Sequence, residues 1–138
     1  MTTHAGRRKV GGVEVAGNPP PLELSFPWPA PALFPNAARK QHWHTLRETA
    51  RTLRQVAFAE TWNSKNGWTR GGGPWQLTLT FCPPDRRRRD LDGCLSAIKA
   101  AIDGMAEALN IDDANFWPVT LDWGPVCKGG QVRVKVGE

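Results

Sequence analysis

The chain has 138 residues, 40% of them hydrophobic, so it is long enough for one domain with a single core and too short for two. An excess of 18 Lys and Arg over 13 Asp and Glu gives a net charge of +5, which favours an anionic partner such as nucleic acid. The cysteines Cys82, Cys94 and Cys127 are odd in number and form no C-x-x-C pair, which argues against a disulfide framework or a zinc site.

The first segment, residues 1–18, combines several glycines with Arg7, Arg8 and Lys9 and has no hydrophobic periodicity. This composition predicts a flexible basic tail, and an arm that contacts phosphates is the alternative. Residues 19–138 are then expected to form the single domain.

A strand is predicted over Leu22 to Phe26, where apolar and polar residues alternate, and the prolines that follow end it. A long helix should then extend from the N-cap candidate Asn36 to about Asn63. Apolar residues recur along this helix at steps of three and four: Trp43, Leu46, Ala50, Leu53 and Ala57. Their spacing predicts one buried face.

Basic residues follow the same rhythm on a neighbouring stripe of this helix. A solvated flank is the simple interpretation of the stripe. The functional interpretation is contact with DNA phosphates, for which the candidates are Arg47, Arg51 and Arg54.

The second half of the chain predicts a strand over Gln76 to Phe81, a helix from about Asp92 to Leu109, and two closing strands near Phe116 to Trp123 and Gln131 to Val136. A turn is expected between the last two strands at Lys128 to Gly130. The order strand, helix, strand, helix, strand, strand indicates an α+β fold. We expect a two-layer α/β sandwich with two helices packed on one face of a small mixed sheet.

Between the second strand and the second helix, the run from Asp85 to Asp92 reads Asp-Arg-Arg-Arg-Arg-Asp-Leu-Asp. A solvated loop in which arginines balance aspartates is the simple interpretation. Because guanidinium groups match the oxygens of phosphate, we favour phosphate contacts for the four arginines, which are Arg86, Arg87, Arg88 and Arg89.

Three aspartates are candidate ligands for Mg²⁺ or Mn²⁺. Asp90 and Asp92 are two residues apart, and such residues point to one side in an extended segment. Like charges that close together repel unless a cation neutralises them, and hard divalent cations prefer oxygen ligands. Asp113 would complete the site if the strand–helix–strand unit brings its two junctions together. An ordinary turn is the alternative for Asp112 and Asp113.

Lys99 lies on the polar strip of the second helix, two turns after Asp92. From there it could stabilise negative charge that develops on a phosphate. A weak surface salt bridge to Asp103 is an equally good interpretation.

The arginine-rich run, followed by a helix and Asp112-Asp113-Ala114, resembles the RusA family of phage and prophage Holliday-junction resolvases. The segments Phe26-Pro27-Trp28-Pro29 and Pro35 to Arg39, with His42-Trp43 after it, are also similar to that family. The likeness covers roughly Leu22 to Val136. It implies a small homodimer that binds four-way DNA junctions and cuts them symmetrically with Mg²⁺ or Mn²⁺, without a small-molecule cofactor.

Site residues follow from the resemblance by position. It implies metal ligands at Asp90, Asp92 and Asp113, and an important arginine at Arg89. These carboxylates are also the expected catalytic residues, because metal ions held by them would support phosphodiester hydrolysis.

Two positions depart from the family pattern. Gly93 stands where the family usually has Asn, and Ser96 stands where its active-site lysine commonly lies. Lys99 is one helical turn further and is expected to take over that role.

These observations lead to the expectation of a metal-dependent endonuclease that resolves four-way junctions in DNA recombination and repair. One alternative is a branched-DNA-binding protein with weak or no catalysis, which Ser96 supports. Another is a protein-interaction module whose acidic turn is structural. No apolar run is long enough to span a membrane, and the N-terminus lacks the apolar core of a signal peptide. We therefore expect no membrane partner and a location in the cytoplasm of a bacterium or a phage-infected cell.

Overall fold

The computed structural model describes residues 7–10, 13–16 and 20–138. Its strands are β1 (Arg7–Val10), β2 (Val13–Ala16), β3 (Leu22–Pro27), β4 (Trp75–Cys82), β5 (Phe116–Trp123) and β6 (Gln131–Val136). Its helices are α1 (Pro35–Ala38), α2 (Trp43–Ser64) and α3 (Leu91–Leu109), and short 3₁₀ turns occur at Pro31–Leu33 and Asp113–Asn115.

Part of the predicted tail is paired as strands. β1 and β2 form a separate two-stranded antiparallel sheet in which Arg7 lies opposite Ala16. Residues 1–6, 11, 12 and 17–19 lie outside the described residues. The flexible tail and the domain boundary near residue 18 therefore stay predictions.

The main sheet has four strands in the order β3, β6, β4, β5. β6 is antiparallel to both β3 and β4, whereas β5 is parallel to β4. A parallel pair needs a crossover connection, and α3 supplies it between β4 and β5. The last strand thus lies between β3 and β4, and β5 forms an edge of the sheet.

The alternation of the strands separates the two faces of the sheet. The inner positions of β3, β4 and β6 are buried and contact buried residues of both long helices in one hydrophobic cluster. The helices contribute Leu53 and Ala57 from α2 and residues such as Ile98 and Met105 from α3. The predicted α+β architecture, with two helices on one face of a small mixed sheet, is confirmed.

The first long helix is interrupted, and the prediction that Asn36 caps it is wrong. Asn36 lies inside α1, which begins at Pro35, a residue suited to the first helical position because its missing N–H needs no partner. The N-cap of α2 is His42, whose extended backbone breaks the helix and whose Nδ1 accepts a hydrogen bond from the backbone N–H of His44 at 3.2 Å.

Helices α2 and α3 run in the same general direction. An added Cβ at Gly104 of α3 would overlap the carbonyl oxygen of Arg54 in α2, so the two backbones approach closely there. Further along both helices, Lys65 donates from Nζ to the carbonyl of Ala108 at 3.2 Å. The N-termini of α2 and α3 therefore lie at one end of the molecule. No helix of the described ranges is both long and apolar enough to cross a membrane.

The connection from β5 to β6 passes over the carboxyl end of β4. The backbone N–H of Gly124 donates to Phe81 at 2.9 Å, and that of Cys127 donates to Pro83 at 3.0 Å. The expected turn is present, with positive φ at Gly129 and Gly130. It joins two strands that both flank β4, so they are not paired with each other.

Candidate metal and DNA site

The arginine-rich loop, residues 85–90, lies at the end of the molecule where β4 finishes and α3 begins. Residues 124–130, which connect β5 to β6, border it through the contact of Cys127 with Pro83. Trp28 borders it as well, because its ring is stacked on Phe34 at 6.0 Å and meets Phe81 edge-on at 6.3 Å. Segments distant in sequence thus support this loop.

Arg89 braces the loop from within. Its Nη2 donates to Asp85 Oδ1 at 2.8 Å, and its Nη1 donates to the carbonyls of Asp85 and Arg87 at 3.1 and 3.0 Å. Its guanidinium lies over the ring of Trp28 at 5.5 Å, and its side chain is only 16% exposed. These contacts give Arg89 a structural role, and its expected contact with phosphate stays a prediction.

Asp85 is the acceptor at the centre of this brace. The backbone N–H of Arg87 donates to its carboxylate at 2.9 Å, and Arg89 adds a second hydrogen bond. These hydrogen bonds, the backbone one first, lower the pKa of Asp85 below its usual value. Asp85 is therefore an ionised turn residue and not a candidate metal ligand.

The other three arginines of the loop are exposed: Arg86, Arg87 and Arg88. Arg87 forms a loose ion pair with Asp85 at 3.3 Å, which water screens strongly at this exposure. These side chains project from the braced loop and can meet an anionic surface. The sequence alone could not separate them from Arg89, because the four residues are identical.

Asp90 is the N-cap of α3, yet its side chain accepts no capping hydrogen bond within the described residues. An added Cβ at Gly93 would lie 2.6 Å from Asp90 Oδ1, so glycine leaves room for the carboxylate in this position. An exposed carboxylate without the usual capping bond can bind a cation. This arrangement also gives a physical reason for Gly93.

Asp92 is exposed in the first turn of α3. The extended geometry expected for the pair is wrong, because Leu91 and Asp92 are already helical and only Asp90 is extended. A purely structural explanation of Asp92 is its favourable interaction with the positive end of the helix dipole. Both carboxylates nevertheless lie within one helical turn of each other, at the end that carries the exposed arginines.

Cys94 is poorly suited to act as a thiol nucleophile at this end. Cys94 is fully buried, and burial, together with the charge of Asp90, raises the pKa of its thiol to about 11. Cys82, Cys94 and Cys127, all in the described part of the chain, form no disulfide.

Asp113 lies at the other end of α3. Its carboxyl group faces that of Asp103, and burial together with the proximity of Asp113 raises the pKa of Asp103. Asp103 follows Asp92 by eleven residues along the helix, which corresponds to about 16 Å at the rise of an α-helix. The neighbouring Asp112 has a turn role, since its Oδ1 accepts from the backbone N–H of Ala114 at 3.0 Å.

The expected closure of the three carboxylates within one chain is therefore wrong. β4 and β5 are parallel, so the loop that follows β4 and the turn that precedes β5 lie at opposite ends of the sheet. Among the residues that the structure describes, no three His, Cys, Asp or Glu side chains are grouped so that they could hold a metal ion. The metal-binding role of each aspartate stays a prediction.

Lys99 is exposed on α3 and acts electrostatically on Asp103, where its charge opposes the rise in pKa that burial causes. The expected basic stripe on α2 is partly neutralised. Arg54 forms an ion pair with Glu107, and Arg51 forms a weaker one with Glu48 at 3.5 Å. Arg47 instead lies over the ring of Trp43 at 5.5 Å.

Sequence reasoning missed two aromatic features of this end. Trp28 supports Arg89, and a cluster at the start of α2 surrounds Trp43. The ring of His42 is stacked on Trp43 at 5.9 Å, and the ring of His44 meets it edge-on at 5.7 Å. Of these two features, only the cluster around Trp43 could have been found in the sequence, from the run His42-Trp43-His44.

Comparison with known proteins found a relative that is similar in sequence to this chain. No protein-family model matches it. Over 117 residues it is 33% identical to an uncharacterized protein of Xylella fastidiosa strain Temecula1, and the match covers 82% of this chain and 74% of that protein. The fold and the loop define a small α+β protein with exposed arginines beside two aspartates at the start of a helix. The chain belongs to the same family as the Xylella protein.

Proposed function

We propose that the protein is a metal-dependent endonuclease that hydrolyses phosphodiesters at four-way DNA junctions, as the likeness to the RusA family implies. The observation that carries the proposal is the pairing of exposed aspartates with exposed arginines at one end of the fold. Asp90 and Asp92 offer carboxylate oxygens, and Arg86 to Arg88 offer guanidinium groups beside them. Such a surface suits a phosphate diester together with a divalent cation.

Mg²⁺ or Mn²⁺ is the cofactor that this donor set suits. Carboxylate oxygens are the ligands that both ions prefer, and Asp90 is not occupied by a capping hydrogen bond. A bound ion would supply an activated water and would stabilise charge on the leaving oxygen. The exposed arginines would hold the DNA backbone, and Lys99 would stabilise charge on the phosphate.

Two aspartates leave the site short of the third expected ligand, and a second copy of the chain can supply it. Because β4 and β5 are parallel, Asp113 and Asp92 lie at opposite ends of the sheet. A homodimer with antiparallel subunits would bring Asp113 of the partner subunit to the end that carries Asp90 and Asp92. It would form two such sites, which suits two opposed cuts.

Strand β5 has the properties of the surface that such a dimer needs. It is an eight-residue edge strand, and Trp117 and Val119 are 68% and 44% exposed. Long exposed apolar edges are normally covered, since their backbone groups pair readily with another strand. The N–H of Gly124 points towards β4, so alternation directs the backbone groups of Val119 and Leu121 to the free edge, whereas the N–H of Trp123 donates to Asp122 Oδ1 at 2.8 Å. Pro118, which has no N–H, does not obstruct that edge.

Cleavage of a synthetic four-way junction in Mg²⁺ or Mn²⁺ tests the proposal. We expect two symmetric nicks from the wild-type protein, and none from Asp92→Asn. Junction binding by this variant should be preserved or improved, because loss of a carboxylate lessens repulsion of phosphate. An Asp92→Asn variant that cuts like the wild-type protein would contradict the metal-ligand role.

A junction-binding protein that does not cut is the second candidate. It is favoured by Ser96, which is exposed on α3 where the RusA-like lysine would stand. Binding without nicking in both metals would decide for it. For either function we propose the cytoplasm of a bacterium or a phage-infected cell as the place of action.

A further inference from the structure

Trp43 is unusually exposed for a tryptophan at the start of a helix. It keeps 61% of its surface accessible although two histidine rings and the guanidinium of Arg47 lie against it. It makes no contribution to the hydrophobic core. The exposed ring of Trp43 is available for contact with a ligand, which would bury part of its surface.

Trp43 lies at the same end of the fold as Asp90 and Asp92. The N-termini of α2 and α3 are at one end, since the two helices run in the same direction. A chain of contacts joins the two regions, from Phe34 through Trp28 to Arg89, which directly precedes Asp90. Helix α1, which begins one residue after Phe34, also contacts α3.

The surroundings of Trp43 are basic. Arg39, Lys40 and Arg47 are all exposed within four residues of it along the chain. Along the chain, no Asp or Glu lies between Glu23 and Glu48, and Glu48 pairs with Arg51. An aromatic ring among cations suits an unpaired nucleobase attached to a phosphate backbone, since stacking accepts any base and the cations meet the phosphates.

We propose that Trp43 stacks on a DNA base at the branch point of a junction, where the continuous base stack is interrupted, with Arg47 and the basic residues beside it holding the adjacent backbone. This inference rests on the proposed function, because it takes branched DNA as the ligand. Such stacking would let the protein distinguish a branch from an intact duplex, because the bases of an intact duplex are stacked on one another and expose no ring. This kind of recognition differs from contacts with phosphates, which both DNA forms offer.

Equilibrium binding to a synthetic four-way junction, in EDTA to prevent cleavage, tests the role of Trp43. We expect Trp43→Ala to weaken junction binding about tenfold, and Trp43→Phe to recover most of the loss. Binding of a linear duplex of the same sequence should not change. Trp62→Ala is the matched control, because Trp62 is 53% exposed and stacked on Phe58 towards the other end of α2. It should bind the junction like the wild-type protein.

A second experiment reads the contact directly. Junctions carrying 5-iododeoxyuridine at the branch point are irradiated with the protein, and the cross-linked peptide is identified by mass spectrometry. We expect the peptide that contains Trp43. Thermal unfolding and the mass in solution of Trp43→Ala should match the wild-type values, because the ring is outside the core.

The outcomes separate this inference from the proposed nuclease. Unchanged junction affinity in Trp43→Ala, or an equal loss in Trp62→Ala, overturns the stacking role even if the protein cuts junctions. Conversion of Trp43→Ala to a monomer also overturns it and assigns the ring to the contact between subunits. If the protein cross-links to the junction at Trp43 but cleaves no junction, the stacking role is supported and only the proposed nuclease activity is contradicted.

Discussion

The carboxyl groups of Asp103 and Asp113 face each other near the carboxyl end of α3, and the influence of Asp113 adds to burial in raising the pKa of Asp103. The parallel pairing of β4 and β5 places Asp113 at the opposite end of the sheet from Asp90 and Asp92, with which it was expected to share a metal ion. Either Asp113 acts in a second subunit, or it has only a local role. The two possibilities differ in measurable ways.

Mixed dimers provide the sharpest test of a shared site. Asp92→Asn and Asp113→Asn should each abolish junction cleavage alone. If each site takes Asp92 from one subunit and Asp113 from the other, a mixed dimer keeps one intact site. An equimolar mixture that exchanges subunits should then recover about a quarter of the wild-type sites. Cleavage is measured after mixing, with Asp92→Asn plus Asp90→Asn as the control pair, which should stay inactive. No recovery in the first mixture, once subunit exchange has been verified by mass, would contradict a site shared between subunits and leave Asp113 with a local role.

Gly93→Ala should separate stability from metal binding. Alanine is a better helix former than glycine by about 1 kcal/mol, so the variant should unfold at the same or a higher temperature. The added Cβ would lie 2.6 Å from Asp90 Oδ1 and must displace that carboxylate. We expect weaker Mn²⁺ binding in isothermal titration calorimetry. Ser96→Ala, also exposed on α3, is the control and should bind Mn²⁺ normally. Unchanged Mn²⁺ affinity in Gly93→Ala would remove Asp90 from the proposed ligands.

Arg88 and Arg89 should behave differently although they are adjacent and identical. Arg89→Ala removes the hydrogen bonds of its guanidinium to Asp85 and Arg87 and its contact with the ring of Trp28, and we expect a loss of about 1–3 kcal/mol in the free energy of unfolding. Arg88→Ala should change that free energy by less than about 0.5 kcal/mol. It should weaken junction binding and reduce the slope of log affinity against log salt by about one. Urea unfolding and salt titrations measure both effects, and equal destabilisation would contradict the brace.

The pKa shift of Asp103 predicts a pH-dependent stability. A carboxyl group whose pKa is raised by folding binds its proton more tightly in the folded state, so its ionisation lowers stability as pH rises above the usual pKa of an aspartate. Asp103→Asn removes this cost. We expect the variant to melt at a higher temperature than the wild-type protein at pH 7, with the difference vanishing near pH 3. Melting curves across this range measure it, and a lower melting temperature at pH 7 would show that the charges of Lys99 and Arg54 dominate.

Patterns local to one segment could be read from the sequence. The alternation that predicted a strand over Gln131 to Val136, and the apolar seam that ended a helix at Leu109, correspond to β6 and α3 as found. Both depend on burial of one face, which the spacing of apolar residues reveals. The break before α2 was missed because Asn36 and His42 are both able to cap a helix, and only tertiary packing selects between them.

Relations between segments could not be read in the same way. The residues of β5 do not indicate that this strand is parallel to β4, yet the direction of β5 decides at which end of the sheet Asp113 lies. The same holds for Arg89, whose burial depends on Trp28 from a distant segment. The candidate residues were thus predictable from local chemistry, whereas their grouping required the topology.

The arginine-rich loop is fastened at both of its ends. Pro83 is held by Cys127 on one side, and Arg89 is held by Asp85 and Trp28 on the other. Among the described residues, the side chains of Arg86 and Arg88 take no part in these attachments, and that of Arg87 makes only a water-screened ion pair with Asp85 at 3.3 Å. Substitutions among these three can therefore retune the attraction for a nucleic acid, or redirect it to a different one, while the aspartates at the start of α3 keep their positions. The affinity for nucleic acid and the chemistry at the aspartates could then change independently of each other in evolution.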